Sequence, residues 1–436
     1  MSKPVIGYAG MTHLGLVSAS VAAAHGFRTV AFDQDLALIA RLKQGDLPIS
    51  EPDLTELIAA HKSNLTFSAD VSALSQCDVV YVAVDVPTDD QGQGDLTSIK
   101  AMVTRIWPRL GAKALLVILS QVPPGFTRAL HLAPDRVYYQ VETLVFGRAV
   151  ERASKPDRFI LGAADPSKPL HPSLQAYLGS FGCPILPMAY ESAELAKISI
   201  NFCLVASISV ANTLAEVCEH VGADWSDIVP ALKLDKRIGP SAYLSPGLGI
   251  AGGNLERDLR TIIKIGEAEN TDVGVPQAWL ANSAYRKEWT WKTLETKVLG
   301  ANPNVTIAVL GLAYKENTHS IKNSPSLALL EHLRGKTVKV HDPVVPATVA
   351  QWTKAAADPL AAAKDADVLV IATPWPQYRD LKPAELARAM KGKTVLDPYR
   401  VLDGRACAAA GFTYYTLGMP PLAPAAGSNE HVASQQ

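Results

Sequence analysis

A glycine-rich turn near the start of the chain is the first group of residues whose types and spacing suit a particular chemistry. The segment Gly10-Met11-Thr12-His13-Leu14-Gly15 follows the apolar stretch Val5–Ala9 and precedes apolar residues at helical spacing. Such a turn lets the backbone approach a pyrophosphate, which the N–H groups at the start of the helix can bind. Thr12 stands where this fingerprint has its middle glycine. Its β-branched side chain narrows the approach, so the turn must open slightly or the phosphates must shift.

An acidic residue supports the same interpretation. Asp33 ends a second strand-like segment, Thr29–Phe32, within the expected reach of an adenosine ribose. An acid at this place favours NAD over NADP, because it would repel a 2′-phosphate. The pattern therefore predicts a dinucleotide site, and the alternative is a domain of the same kind whose turn binds nothing.

The cysteines and the overall charge exclude several other classes of function. The cysteines are scattered, without a CxxC pair or a His cluster at metal-ligand spacing, so we predict no metal and a reducing compartment. The formal net charge of −1 gives no general electrostatic reason to bind nucleic acid or an anionic membrane. No signal peptide is visible, and we expect no apolar stretch that spans a bilayer uninterrupted. The sequence is typical of a cytoplasmic protein.

The elements that must position the candidate residues occur twice. With 436 residues, the chain exceeds what one core usually supports, so two or three domains are expected. The first copy has a strand ending at Gly10, and its further elements are a helix over Leu14–His25, the strand Thr29–Phe32 and the apolar run Asp78–Val84. The second copy consists of Thr306–Gly311, Ser326–Leu333, Val338–Asp342 and Asp367–Ala372. Strands that alternate with helices predict an α/β fold with two doubly wound, Rossmann-like parallel sheets.

A long helix is predicted between the two copies. Apolar residues recur at helical spacing over Glu191–Val221, with no Pro or Gly until Gly222. A helix that is apolar on more than one face packs against two domains or a second subunit. The segment Pro420–Gln436 is rich in Pro, Ala, Ser and Gly, which predicts a disordered tail.

Further short motifs occur along the chain in the same order as in one known protein family. They are Leu47–Pro52, Val86–Thr88 with Gly94–Leu96, Ser120–Gly125, Glu194–Asn201, Pro246–Gly249, Leu310–Lys315, Ser324-Pro325, Thr373–Pro376 and Asp397–Arg400. Each is a weak motif alone. Together, in register from Val5 to Gly418, they resemble the UDP-glucose/GDP-mannose dehydrogenase family.

This resemblance implies an architecture in three parts. An NAD-binding domain would occupy residues 1–188, a central helical domain 189–298, and a UDP-binding domain 299–419, followed by the tail 420–436. Two copies of the chain would form a homodimer through the central helix. The active site would lie in the cleft between the doubly wound domains.

The resemblance also implies a reaction, from which this chain departs. Family enzymes oxidise a C6 hydroxyl to a carboxylate with two NAD molecules, through a thiohemiacetal on a cysteine. In the segment Ala251–Asp258 the position of that cysteine carries Asn254, whose amide cannot capture an aldehyde. A second family glutamate corresponds to Phe146, and a family threonine corresponds to Gln121.

The residues retained from the family are those that the first, two-electron oxidation needs. The substrate hydroxyl would lose its proton to a base or to a water held by Lys197 and Asp258, and Lys197 would stabilise the developing alkoxide. The alternative is that Lys197 and Asp258 form a plain ion pair. The full set of implied catalytic positions is Lys197, Asn201, Asp258, Glu142 and Asn254.

The remaining positions carried over from the family bind ligands. Those implied for NAD are Gly10, Thr12, Leu14, Gly15, Asp33, Val86, Pro87, Thr88, Gln121 and Lys322. Those implied for the nucleotide sugar are Leu144, Lys197, Asn201, Arg237, Tyr243, Gly247, Gly249, Lys315 and Arg400. For Arg237 and Arg400 a solvated surface charge is an equal alternative.

Three hypotheses follow for the function. The first is two-electron hydride transfer between a UDP-hexose and NAD, which yields an aldehyde, a ketone or an epimer. The second is full C6 oxidation of UDP-glucose to UDP-glucuronate without cysteine, through an aldehyde hydrate near Glu142. The third is a catalytically silent protein that binds nucleotide sugars. UDP is favoured over other nucleotides by the resemblance alone.

Overall fold

The computed structural model describes residues 3–87 and 94–424, and it falls into two compact units. Unit 1 is residues 1–201 and unit 2 is residues 202–436, so the boundary lies inside the long helix Tyr190–Val221. The three-part division at residues 188, 298 and 419 stays a prediction. Of the tail expected to be disordered, residues 425–436 lie outside the described residues, whereas Leu422 forms a bridge with Tyr414.

Unit 1 is built on an eight-stranded sheet. Its strands are β1 (Ile6–Ala9), β2 (Thr29–Phe32), β3 (Leu65–Ser68), β4 (Val79–Val82), β5 (Leu115–Ile118), β6 (Val137–Gln140), β7 (Phe159–Ala163) and β8 (Ile185–Ala189). They lie in the order β3-β2-β1-β4-β5-β6-β7-β8, and all neighbours are parallel except β6 and β7.

The helices of unit 1 cover both faces of this sheet. They are α1 (His13–Ala24), α2 (Leu36–Lys43), α3 (Leu54–His61), α4 (Thr97–Ile106), α5 (Ala149–Ser154), α6 (Pro172–Gly179) and the start of α7 (Tyr190–Val221). Short 3-10 turns lie at Val71–Gln76, Trp107–Arg109 and Arg128–Leu130. Alternate residues of β4 belong to two separate cores, since Tyr81 packs on one face and Val80 on the other. Burial on both faces explains why the strand is a continuous apolar run.

Unit 2 combines helices with a second sheet of six parallel strands. The strands are β9 (Thr306–Leu310), β10 (Thr337–His341), β11 (Lys354–Ala355), β12 (Val368–Ile371), β13 (Thr394–Leu396) and β14 (Thr413–Tyr415), in the order β11-β10-β9-β12-β13-β14. Its helices after α7 are α8 (Trp225–Leu234), α9 (Asn254–Ala268), α10 (Gly274–Lys287), α11 (Trp289–Leu294), α12 (Pro325–His332), α13 (Pro359–Ala363), α14 (Pro383–Ala389) and α15 (Gly404–Ala409). A π-helical turn lies at Glu295–Leu299, and 3-10 turns lie at Ala347–Ala350 and Pro376–Asp380.

The predicted α/β fold class is confirmed. The first six strands of unit 1 and the six strands of unit 2 share one order, in which the first strand of each copy lies between the second and the fourth. In sheets of this kind ligands bind beyond the carboxyl ends of the strands, where the strand order reverses. The end of β1 is therefore the place in unit 1 where a dinucleotide site is expected.

One sequence-based expectation about the long helix is wrong. Helix α7 is long and apolar enough to cross a membrane, with a mean hydropathy of 1.7 over an 18-residue window of which 33% is buried. The expectation failed because Glu191, Glu194 and Lys197 all lie in the first turns, which leaves residues 198–215 without a charged side chain. Length and composition alone do not distinguish such a helix from the core helix of a soluble protein.

Close packing of two glycines sets the geometry of the turn between β1 and α1. Gly10 has a φ of 101°, which a residue with a side chain rarely adopts. A Cβ on Gly15 would lie 1.8 Å from the carbonyl oxygen of Gly10, so only glycine lets α1 begin this close to the strand. Packing alone therefore explains why both positions are glycine, without any bound ligand.

Replacing Gly15 with alanine tests this packing. We expect Gly15→Ala to lower the free energy of unfolding by about 3 kcal/mol or more. Overpacked cores usually lose about 1–3 kcal/mol, and here backbone atoms would have to move. Gly179→Ala is the matched control, since a Cβ there would meet no atom closer than 3.6 Å. The control should change stability by less than about 1 kcal/mol in thermal or urea unfolding. Equal stability of the two variants would contradict the packing described here.

Candidate active site

The turn after β1 has the features that a dinucleotide phosphate needs. Thr12 is the N-cap residue of α1, but its side chain does not cap the helix. Its hydroxyl instead donates to the carbonyl of Ala83 at 3.1 Å, which turns the side chain toward the end of β4. The first turn of α1 contains no acidic residue. The backbone at this helix start therefore fits the pyrophosphate of NAD.

Asp33 holds this turn in place. One of its carboxylate oxygens accepts from Met11 N at 2.7 Å, and the other accepts from Asp35 N at 3.0 Å. A carboxylate accepts about four hydrogen bonds, so a further bond to a ribose is compatible with this geometry. The predicted contact with the adenosine ribose stays a prediction.

The corresponding acid in the second copy has the same structural role. Asp342 accepts from Leu312 N at 2.6 Å and Ala313 N at 3.0 Å, as well as from the backbone N–H groups of Val344 and Val345. Burial by itself would raise the pKa of Asp342, but these backbone hydrogen bonds outweigh it and the pKa lies below its ordinary value. An acid that ends the second strand thus stabilises the glycine turn in both copies.

His13, which sequence analysis did not single out, links the dinucleotide turn to the segment after β6. Its Nε2 atom lies 2.9 Å from Glu51, and its ring stacks on Phe146 with the centroids 4.2 Å apart. Glu51 also accepts from Gly147 N at 3.1 Å and from Ala149 N at 2.7 Å. Glu51 lies in the segment Leu47–Pro52, so that motif was the available signal for its importance.

Lys197 and Glu142 form an ion pair in unit 1. The Nζ atom of Lys197, on α7, lies 2.8 Å from Oε1 of Glu142, and the side chains are only 11% and 18% exposed. The other carboxylate oxygen of Glu142 accepts from Leu144 N at 2.9 Å. Asn201 lies one helical turn beyond Lys197 and is buried. The structure therefore brings together Glu142, Leu144, Lys197 and Asn201.

Glu194 anchors the loop after β5 to the same helix, and sequence analysis did not predict this role. Its buried carboxylate accepts from Gly125 N at 2.6 Å and from Thr127 N at 2.8 Å. Burial raises the pKa of Glu194, although these hydrogen bonds oppose the rise. Gln121, predicted to contact NAD, is half-buried at the start of this loop. The segment Glu194–Asn201 was the only sequence signal.

The glycine loop predicted to bind the nucleotide sugar is fixed within unit 2. Gly247 N donates to the side chain of Asn212 on α7 at 2.8 Å. Gly249 has a φ of 74°, and a Cβ there would lie 2.3 Å from the carbonyl oxygen of Ser283. Ser283 also accepts from Ile250 N through its hydroxyl at 2.7 Å. The loop thus owes its conformation to α7 and α10.

Asn254 is the first residue of α9 and is exposed. The loop before it is bound to the segment before α12, since Gly252 N donates to the carbonyl of Lys322 at 3.0 Å. One turn along α9, Asp258 is buried, with Arg257 Nε 3.4 Å from its carboxylate. Asn254, Asp258 and the exposed Lys322 therefore belong to one part of unit 2.

The other residues predicted to bind the substrate lie on separate segments of unit 2. Arg237 is mostly exposed and pairs with Asp235 at 2.6 Å. Arg400 pairs with Asp224 at 2.7 Å and also donates to the carbonyl of Leu417 at 3.1 Å. Arg237 is thus a solvated surface charge, whereas Arg400 is held in a half-buried ion pair, and a phosphate contact by either arginine stays a prediction. Tyr243 is exposed, and Lys315 is half-buried.

The segment after β4 is only partly described. Val86 and Pro87 belong to the described part, and the carbonyl of Pro87 accepts from Asp95 N at 2.9 Å. The predicted NAD contact at Thr88 lies outside the described residues. Among the residues that are described, no group of three or more His, Cys, Asp or Glu could hold a metal ion.

A double-mutant cycle measures what the Lys197–Glu142 pair contributes. We expect Lys197→Met to lower stability by about 1–3 kcal/mol, because it leaves a largely buried carboxylate without its cation. Adding Glu142→Gln should recover part of this loss. The matched control is Lys168→Met, because Lys168 is exposed beside Asp165. Its stability should change by less than about 0.5 kcal/mol. Additive effects of the two site variants in urea unfolding would show that the pair is not coupled.

Comparison with family models covers most of the chain. Residues 5–174 match the NAD binding domain of the UDP-glucose/GDP-mannose dehydrogenase family. Residues 191–283 match the central domain of this family, and residues 308–404 match its UDP binding domain.

Whole proteins match over nearly their entire length. A UDP-glucose 6-dehydrogenase of Pseudomonas aeruginosa is 31% identical over 94% of this chain and 96% of its own length. UDP-glucose 6-dehydrogenase TuaD of Bacillus subtilis is 29% identical over 95% of this chain and 93% of its own. The structure of a UDP-glucose dehydrogenase from Pyrobaculum islandicum superimposes with a TM-score of 0.85 at 29% identity, covering 96% of this chain and 98% of that one. The chain therefore belongs to the UDP-glucose/GDP-mannose dehydrogenase family and is an NAD-dependent oxidoreductase.

Proposed function

We propose that this protein transfers one hydride between a UDP-hexose and NAD, without forming a covalent intermediate. The observation that carries this proposal is the Lys197–Glu142 pair, 2.8 Å apart. The resemblance to the family further implies that Asn254 stands where family enzymes have a cysteine. Groups for removing a proton from a hydroxyl are retained, whereas the group for trapping an aldehyde is replaced.

No other thiol replaces the missing nucleophile. Burial raises the pKa of Cys77 and of Cys407 to about 12, and it also raises the pKa of Cys183 and of Cys218. These thiols are therefore protonated at neutral pH, and a thiol is a poor nucleophile. The fifth, Cys203, is two residues beyond Asn201 on α7, which turns it by about 200° around the helix. All five cysteines are unpaired in the structure.

Lys197 has a direct role in the proposed step. When the substrate hydroxyl loses its proton, negative charge develops on oxygen, and an ammonium fixed beside it stabilises that charge. Glu142 keeps the ammonium oriented, and the neighbouring Asn201 can donate to the same oxygen. The proton would pass to a water, and NAD would supply the hydride acceptor. The product is an aldehyde or a ketone, or an epimer when the hydride returns to the opposite face.

Full oxidation without cysteine is less compatible with Glu142. This second hypothesis needs a carboxylate that activates water against an aldehyde. One oxygen of Glu142 is bound to Lys197, and the other accepts from Leu144 N at 2.9 Å. Both interactions favour the charged carboxylate and weaken it as a base. A silent binding protein would keep the Lys197–Glu142 pair only for stability, so turnover of a UDP-sugar distinguishes that hypothesis from the proposed one.

The UDP-hexose class rests on the comparisons. The family model matched by residues 308–404 is described as a UDP binding domain, and the relatives from P. aeruginosa and B. subtilis are named UDP-glucose 6-dehydrogenases. We therefore take UDP-glucose as the first substrate to test.

The amount of NADH formed per sugar tests the proposal. We expect no more than one NADH for each UDP-sugar consumed and no uronic acid, because no thiohemiacetal forms. Asn254→Cys should permit acid formation if the remaining residues are competent for the second oxidation. Asn254→Ala is the matched control, because it removes the amide without adding a thiol. Two NADH per UDP-glucose from the unmodified protein, measured by absorbance and mass spectrometry, would refute the proposal.

We also propose that the protein is a homodimer through α7. Val210, Leu214, Val217 and Val221 repeat at helical spacing, and between 44% and 68% of each is exposed. Such a stripe of large apolar side chains marks an interaction surface. A second copy of the same helix offers a matching apolar stripe, as a two-fold interface requires.

Charging this stripe should dissociate the dimer. We expect Leu214→Glu combined with Val217→Glu to give a monomer in size-exclusion chromatography with light scattering, because two charges would be buried in the interface. Val344→Glu is the control, since Val344 is 51% exposed and lies outside α7. The control variant should stay dimeric. A monomeric unmodified protein, or one found in the membrane fraction, would contradict the proposal.

A further inference from the structure

The chain that follows β4 is fixed against the dinucleotide turn. Ala83 N donates to the carbonyl of Ala9 at 2.9 Å, and the Ala83 carbonyl accepts the Thr12 hydroxyl at 3.1 Å. The Ser120 hydroxyl donates to the carbonyl of Val84 at 2.6 Å. The backbone that leads into Asp85 is therefore held from both sides, by the end of β1 and by the end of β5.

The packing here leaves little room for adjustment. A Cβ on Gly10 would lie 2.8 Å from Cγ2 of Val84 and 3.2 Å from the carbonyl oxygen of Ala83. The turn and the segment after β4 are thus in close contact. Asp85, the next residue, must place its carboxylate at this same edge of the sheet, beside the start of α1.

The surroundings of Asp85 identify where its carboxylate lies. It is close to the Thr12 hydroxyl and to the backbone N–H of His13, the first residue of α1. The titratable groups that face it are His13, which lies 2.9 Å from Glu51, and Glu142, which is paired with Lys197. Asp85 is nevertheless exposed to solvent, so a ligand could reach its carboxylate.

The groups around Asp85 change its acidity. Loss of surrounding water raises its pKa above 3.8, and the charge of Glu142 adds to the rise. The charge of His13, the Thr12 hydroxyl and the His13 N–H act in the opposite direction and do not cancel it. An anion bound beside the Asp85 carboxylate would favour the neutral form of Asp85 further.

The start of α1 is also where a dinucleotide domain binds the pyrophosphate of its cofactor. We propose that the Asp85 carboxylate occupies this position as a built-in anion, and that NAD binds by displacing it or by binding the protein with Asp85 neutral. Asp85 is then a residue that limits cofactor affinity. The inference rests on NAD as the cofactor of the family and does not depend on the number of hydrides transferred.

The proposal sets the sign of a pH effect. The bound pyrophosphate would raise the pKa of Asp85, so the complex binds a proton more tightly than the free protein. NAD affinity is then greatest when Asp85 is neutral, and it falls as the pH rises from the pKa in the free protein to the higher pKa in the complex. Each unit between these two pKa values corresponds to about a tenfold change in affinity.

Calorimetry of NAD and ADP-ribose binding to the full-length protein tests the proposal. ADP-ribose retains the pyrophosphate and cannot accept a hydride, so its binding is independent of turnover. We expect Asp85→Asn and Asp85→Ala to bind both ligands about tenfold more tightly than the unmodified protein at pH 8. The gain should shrink at pH 5. Asp135→Asn is the matched control, because Asp135 is exposed and precedes β6 at the opposite edge of the sheet.

Each outcome has a distinct meaning. A gain by both Asp85 variants, absent in Asp135→Asn, supports the proposal. A gain by Asp85→Asn alone would show a new amide–phosphate hydrogen bond and would overturn it. Equal or weaker binding by both variants at every pH would also overturn it, and would point to a favourable bond between Asp85 and a ribose. In the unmodified protein, the pH dependence of the affinity provides a test that needs no variant, and a flat profile between pH 5 and 8 would count against the proposal.

Discussion

The ion pair between Lys197 and Glu142 is the interaction on which the proposed chemistry depends. It connects α7 to the segment after β6, and it holds an ammonium in a largely buried place without leaving the opposite charge unpaired. The hydrogen bond from Leu144 N fixes the second carboxylate oxygen, and Glu194 ties the loop after β5 to the same helix. One helix therefore orients two segments of the sheet edge, and the positive charge is positioned before any substrate arrives.

Most of the fold could be predicted because its causes are local. Buried parallel strands require continuous apolar runs, so strands such as β2 and β9 were found at or within one residue of their ends. The repeated strand, glycine turn and acid predicted two copies, and the bonds of Asp33 and Asp342 give the physical reason for the repeat. The apolar length of α7 was misjudged, because charges in its first turns hid the uncharged stretch that follows.

The site could be predicted only in part, because its partners are distant in sequence. Family register pointed to Lys197 and Glu142 separately, but not to the bond between them. Arg400 pairs with a residue 176 positions away, which no local pattern reveals. The position of Asp85 beside α1 likewise arises from the pairing of β4 with β1. Sequence gives the residue types, whereas the sheet order decides which of them meet.

The central claim is that one hydride leaves each sugar and that no second oxidation follows. Its most direct test uses a UDP-hexose with deuterium on every ring and side-chain carbon, incubated with NAD and followed by mass spectrometry of both products. We expect each sugar to lose one deuteride to the nicotinamide, or, in an epimer, to regain that same deuteride from it, and we expect no carboxylate. Loss of two deuterium atoms from one carbon with formation of a uronic acid would contradict it.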